Sequence, residues 1–410
     1  MAGPSHPPSD APALMAGVPP FPEQSLVTLA NWQDPPFNRW AFQHIRELIP
    51  TARIARPAAP APLPRAERDI LGFRFPYRDG ELTVAEMLEE TYTDGFLVLH
   101  QGRVAAEHYF NGLAPDVPHL LMSVSKSVTS AVAGVLAGRG SLRVSAAVEE
   151  IVPELGGTSF EGATVQDLLD MRAGTRFDES YDNPEADVRT YERVYLWRPD
   201  NGDPRPADAL GYFATLQNDG PHGGPFRYRS ILTDVLAWVI ERAAGARLHE
   251  LIARELWQPM GAEFDAEITV DAHGNPMADG GICASLRDLA RFGQLYLRRG
   301  MVGDRAVVPA AWIDDTIGGA PDGAQAFTAG GQAGPPGAHY RNCWWVWRPE
   351  VAFYQAWGIN GQAIYVHVPS QTVVAKLSTW PVAASDSAAE RAAVAVLAIS
   401  NALQDGQLGG

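Results

Sequence analysis

The sequence predicts an α+β fold: an antiparallel sheet drawn from both ends of the chain, flanked by N- and C-terminal helices, with a mostly helical insertion between them. Three observations carry this expectation. Strand-like runs occur at 95–100, 104–110, 343–347, 361–368 and 372–380, near the two ends. Helical patterns occupy the middle and close the chain. The 410 residues are 46% hydrophobic and 20% charged, enough apolar material for a large packed core. The predicted organisation is a Pro-rich arm over 1–62, an α/β region over 63–155 and 283–410, and a helical, loop-rich region over 156–282, with a site between the last two.

The elements follow in order. Residues 1–22 are Pro-rich and predict a disordered or surface-draped start. A short helix is expected at 38–48, then an extended linker at 54–65 (IARPAAPAPLPR), then a helix at 83–90. The runs 95–100 and 104–110 flank Gln101-Gly102-Arg103 and read as a hairpin. Over 127–138 (SVTSAVAGVLAG) no residue is charged, the mark of a helix buried on all sides. Helices are expected at 163–171, 231–244 and 248–256, with long irregular loops over 172–227. Ser285 and Asp288 have capping-box spacing, with Asp in place of the usual Glu, and open a helix at 285–298. An Ala-rich helix is expected at 386–403.

Composition narrows the function. Basic residues number 32 and acidic residues 48, a net charge of −16, so no overall attraction to nucleic acid or anionic membrane is expected. Two cysteines, Cys283 and Cys343, cannot build a disulfide framework or a Cys-based zinc site. No apolar stretch reaches the roughly 20 residues of a membrane span, and the start does not read as a signal peptide; a cytoplasmic protein is expected. Of the 32 basic residues only Lys126 and Lys376 are lysines. Arginine keeps its proton in proteins and lysine can lose it, so these two positions are where proton chemistry is expected.

The sequence lacks G-x-S-x-G, G-x-x-x-x-G-K-[ST], H-E-x-x-H and C-x-x-C. It contains Ser123-Val124-Ser125-Lys126 at the start of the uncharged helix. Residues i and i+3 share a helix face, which brings the amine beside the hydroxyl. The helix start supplies free backbone N–H groups for an oxyanion. Burial and the helix dipole are expected to disfavour the ammonium form of Lys126. Tyr228, just before the helix at 231–244, offers a phenol whose pKa a neighbouring lysine would lower. Trp357-Gly358-Ile359 offers a glycine that permits close backbone approach.

These residues resemble the serine β-lactamase and penicillin-binding superfamily, and within it the nylon-oligomer hydrolases. The shared text runs along nearly the whole chain: NRWAF (38–42), HLLMSVSKS (119–127), TDVLAW (233–238), ITVD (268–271), RDLAR (287–291), and KLS followed by WP (376–381). The resemblance implies a β-lactamase/DD-peptidase-like fold, Ser123 as nucleophile, Lys126 as its activator, Tyr228 as proton shuttle, and an oxyanion hole from the N–H groups of Ser123 and Ile359. It implies substrate contacts from Tyr181, Trp345, Glu192, Asp279 and Asn360, and no cofactor or metal. Ala356 and Trp357 stand before Gly358 where the family often carries Lys or His, so the cation that holds a β-lactam carboxylate is missing. The motif is closer to that of β-lactamase-like carboxylesterases.

The expected activity is hydrolysis of small amides and esters through an acyl-enzyme, with the 6-aminohexanoate linear dimer as the named amide. Glu192 and Asp279 together would favour substrates carrying an ammonium group. A small-molecule substrate is expected, with no nucleic acid or membrane partner, and homodimerisation is left open. The competing readings are a carboxylesterase alone, a catalytically silent binding protein, and a Ser-His-Asp hydrolase using His108 or His222.

Overall fold

Alternation of buried side chains along neighbouring strands organises the molecule. The computed structural model describes residues 13–408. A helical turn at Asn38–Ala41 leads to strand β1 (Thr51–Ile54). Helix α1 (Val84–Glu90) starts at a capping box in which Thr83 and Glu86 satisfy each other's backbone N–H groups. The hairpin of β2 (Thr93–His100) and β3 (Arg103–Tyr109) follows, then the short strand β4 (His119–Leu120) and helix α2 (Val124–Gly138). The middle of the chain holds α3 (Asp187–Val194), α4 (Ile231–Ala244), β5 (Ala266–Thr269), β6 (Ile282–Ala284) and α5 (Leu286–Leu297). Strands β7 (His339–Arg341), β8 (Trp344–Arg348), β9 (Phe353–Gly358), β10 (Gln362–His367) and β11 (Thr372–Ser378) precede the last helix, α6 (Asp386–Gln404).

The main sheet is antiparallel with order β7-β8-β9-β10-β11-β2-β3, so strands from the two chain ends meet where β11 pairs with β2. Period-two alternation gives it two apolar faces. Leu97, Leu99, Val373, Ala375 and Leu377 join the larger core, while Phe96, Val98 and Val374 join a second core with Ala392, Val396 and Ile399 of α6. Helix α5 lies on the first face, where a Cβ on Gly293 would come within 2.6 Å of Val373 and 2.7 Å of Ile364. Helix α2, buried from Val124 to Leu136, sits between the sheet and α4, as its lack of charge requires.

A second antiparallel sheet, β1-β5-β6-β4, leads directly into Ser123. It corrects the expected N-terminal arm: β1 pairs with β5, and Trp32 and Phe42 lie in the core, so residues before 62 are built into the body. Of the Pro-rich start, residues 1–12 lie outside the described residues; beyond them, Met15 N donates to Ser25 O at 3.0 Å. The loop expected at 172–227 contains α3 and a helical turn at Ala209–Phe213. Strand β9 also lay outside the expected set. Among the described residues no helix is long and apolar enough to cross a membrane.

Candidate active site

Ser123 stands at the first position before α2 and makes no side-chain cap to the helix. Its hydroxyl instead accepts a hydrogen bond from Lys126 Nζ at 2.7 Å, one helical turn on. Lys126 is 1% exposed, and the same nitrogen donates to Asp279 O at 2.7 Å. The Tyr228 side chain closes the group: its ring lies 5.1 Å from the ammonium, and its phenol interacts electrostatically with Lys126.

Two expectations about protonation are overturned. Burial works against the Lys126 ammonium, but the Tyr228 oxygen, Asp279 and Glu179 outweigh it and hold its pKa above the ordinary lysine value. Burial raises the Tyr228 phenol, and the opposing pull of Lys126 does not reverse the shift. Amine and phenol both hold their protons more tightly than expected, and a base appears when the pair gives up one proton.

Glycine sets the approach of the opposite wall. Gly358, at φ −132° and ψ 151°, has a backbone any residue can adopt. A Cβ there would come 2.8 Å from Leu121 O and 2.9 Å from Ser123 N. Its absence lets the end of β9 close on the start of α2, and Ile359 supplies the next backbone N–H along the chain.

Comparisons with known proteins place the chain in a family. Residues 83–399 match the family model described as Beta-lactamase. The chain belongs to the beta-lactamase family. It is 39% identical over 376 residues to 6-aminohexanoate-dimer hydrolase of Paenarthrobacter ureafaciens, covering 91% of each chain. A solved structure from Bacillus anthracis named for the same hydrolase superposes with a TM-score of 0.85 at 26% identity, covering 94% of this chain and 99% of that one. A family VIII carboxylesterase shares the fold, with a TM-score of 0.56 at 14% identity over 76% of this chain and 93% of that one. The protein is thus a β-lactamase-family serine hydrolase with the α+β fold expected, and its family implies a small-molecule amide or ester substrate.

Around the dyad of this β-lactamase-family hydrolase, the other expected residues take different positions. Trp345, in β8, stacks on Tyr228 with ring centroids 5.6 Å apart. The Tyr181 hydroxyl donates to Glu179 at 2.6 Å. Asp279 is 6% exposed, and its Oδ1 is buried without a hydrogen-bond partner. Burial, reinforced by Glu179 and Glu192 and opposed by Lys126, pushes its pKa up to about 6. Glu192 does not present a free charge: Arg189 donates to both its oxygens at 3.0 and 2.8 Å, and Arg198 pairs with it from the other side. The expected pair of ligand-facing carboxylates is corrected accordingly, because two guanidinium groups already offset Glu192. Asn360 is also committed elsewhere. It adopts a left-handed φ of 57°, and its amide donates to Trp380 O at 2.9 Å and Val382 O at 3.3 Å, shaping the turn after Ile359.

Glu179 escaped the sequence reading. It accepts from Ser230 N at 2.6 Å and from the Ser230 hydroxyl, which anchors the segment carrying Tyr228. Asp234 escaped too: its Oδ1 accepts from Ala278 N at 2.6 Å and Asp279 N at 3.0 Å, fixing the carbonyl that takes Lys126. A lone acid within the apolar run ILTDVLAWVI was its available signal. The histidine alternative finds no support in the geometry: His222 accepts from Gly174 N at 3.0 Å and donates to Glu161 O at 3.1 Å, and His108 lies against Phe110. The second lysine, Lys376, is buried in β11 and bonded to Ser378 rather than to Ser123.

Proposed function

We propose that the protein hydrolyses small amides and esters through an acyl-enzyme on Ser123, with the linear dimer of 6-aminohexanoate as an amide substrate and short-chain esters as faster ones. The observation that carries this is the 2.7 Å contact between Lys126 Nζ and Ser123 Oγ, with the Tyr228 ring 5.1 Å from the same nitrogen.

The cycle starts when the Lys126–Tyr228 pair has lost one proton, leaving phenolate beside ammonium. Ser123 gives its proton to the Tyr228 oxygen as Oγ bonds to the substrate carbonyl carbon. The carbonyl π electrons move to oxygen, which rests on the N–H groups of Ser123 and Ile359. Collapse breaks the C–N or C–O bond, and Tyr228 passes its proton to the leaving nitrogen or oxygen. Water then donates a proton to Tyr228 as its oxygen attacks the acyl carbon, and the proton returns to Ser123 as the acid leaves. Tyr181 and Trp345 flank the substrate, and Asp279 favours one bearing an ammonium group. The absence of a cation ahead of Gly358 disfavours β-lactams.

The test is labelling followed by a substrate panel. A fluorophosphonate probe should add to Ser123, read by peptide mass spectrometry, and S123A should stay unlabelled. Aryl esters and the 6-aminohexanoate dimer should turn over, with a chromogenic cephalosporin far slower. Labelling elsewhere overturns the acyl-enzyme; a labelled enzyme inert on the dimer limits the reading to esters.

A further inference from the structure

The NRWAF segment and a buried carboxylate on β2 take no part in the cycle above, yet both grip the backbone that carries the oxyanion donors. Asp94 is fully buried. The β2–β11 register shifts at this point: Gly95 pairs with Leu377 and Thr93 with Ser378, which leaves Asp94 as the extra residue of a bulge. A bulge breaks the strict alternation of a strand and re-aims one side chain. Here the re-aimed carboxylate meets two segments of distant sequence. Asp94 Oδ2 faces His119 Nε2 at 3.2 Å and accepts from the Thr379 hydroxyl at 2.9 Å.

Those partners sit on the segments that hold the two donors. His119 begins β4, four residues before Ser123, and its Nδ1 faces Leu120 O at 2.9 Å. Thr379 follows β11 and precedes Trp380, whose N–H donates to Asn360 O at 3.1 Å and whose carbonyl accepts from Asn360 Nδ2 at 2.9 Å. One carboxylate oxygen thus ties together the segment that ends in Ser123 N–H and the segment that holds the turn of Ile359 N–H. The Asn38–Ala41 turn fastens the same two strings from outside. Asn38 Nδ2 donates to Trp380 O at 3.0 Å, Leu120 N donates to Phe42 O at 2.8 Å, and Arg39 reaches Thr379 Oγ1 at 3.4 Å and Asp94 Oδ1 at 3.6 Å.

We infer that Asp94 is a positioning residue for the oxyanion hole, fixing the separation of its two N–H groups through His119 and Thr379. This rests on the acyl-enzyme reading above. Donors placed for a tetrahedral oxygen act on the transition state more than on the bound ester, so their displacement lowers turnover and leaves ground-state affinity nearly intact.

The test compares D94N and T379V with V98A, whose side chain is buried on the sheet face toward α6 and serves as a stability control. Hydrolysis of a neutral aryl ester and inhibition by an alkyl trifluoromethyl ketone, which forms a tetrahedral adduct, are measured on each full-length protein. Expected are a fall in kcat of about tenfold or more for D94N and a smaller fall for T379V, each matched by a parallel rise in the inhibition constant, with KM within about threefold. V98A should lower the melting temperature and leave kcat and inhibition near wild type. If kcat and inhibition in D94N and T379V move no further than in V98A, Asp94 is merely structural and the inference is overturned. Should D94N fail to fold, T379V decides alone. Failure of the acyl-enzyme reading is seen separately, as wild-type protein that neither turns over the ester nor labels at Ser123.

Discussion

Gly358→Ala isolates the oxyanion hole from every titratable group in the site. Its backbone is extended, so alanine brings no conformational penalty, and the effect must come from the added methyl alone. That methyl would sit 2.8 Å from Leu121 O and 2.9 Å from Ser123 N, both backbone atoms that no rotamer change can clear. Restoring ordinary contact requires β9 and the start of α2 to part by about half an ångström, at a cost of about 1–3 kcal/mol in stability. A displacement of this size between nucleophile and donors should lower kcat about 10²-fold, as if much of one oxyanion donor had been lost. Stopped-flow acylation by an aryl ester, with a urea melt on the same preparation, measures both quantities. A folded G358A protein with near-wild-type acylation would refute the placement of Ser123 N–H and Ile359 N–H around the oxyanion.

Three further outcomes are expected. Replacing Lys126 with arginine should cost at least about 10³-fold in kcat, because a guanidinium keeps its proton and cannot share one with Tyr228; ester turnover by the wild type should rise with alkaline pH as the pair sheds a proton and fall as pH drops, both pKa values being raised. Asp279 ionises near pH 6, so the ratio of kcat/KM for an ammonium-bearing ester to that for its neutral analogue should climb as pH passes about 6, and D279N should flatten the climb; an unchanged slope removes Asp279 from recognition. Burial lowers Lys376 to about 7, below its unfolded value of 10.5, so the native state sheds this proton first and wild-type stability gains with rising pH between about 7 and 10. Relative to wild type, K376M should therefore be most stabilised at or below pH 7, by up to about 4–5 kcal/mol, with the difference shrinking toward pH 10 in urea melts.

Much of this architecture could be read before any coordinates, where local chemistry and tertiary demand coincide. Helix α4 begins and ends where expected, because its apolar run is closed by Gly245 in the left-handed region. Ser123 and Lys126 were visible because one helical turn is a fixed spacing. Strand β9 was hidden: FYQAWG contains no β-branched residue, whereas the equally buried β10 and β11 carry Ile, Val and Thr that mark them as strands. Helix α3 was hidden in a polar stretch, DVRTYERV, whose apolar side is narrow. The charge of Glu192 looked free because only one of its two arginine partners, Arg189, stands at helical spacing; Arg198 arrives by way of the next loop. Glu179 and Ser230 are 51 residues apart, and Asp94 and Thr379 are 285 apart, so closures of that kind become visible only once the chain is folded.

Both lysines are buried, at 1% exposure each, and every other basic side chain apart from histidine is arginine. The exterior therefore offers no primary-amine side chain. Succinimidyl esters, reductive methylation and aldehyde resins should find almost nothing to couple to besides the chain terminus. Attachment to a support needs carboxylate or guanidinium chemistry instead, and a preparation that does take up an amine-directed dye at Lys126 or Lys376 has already opened its interior.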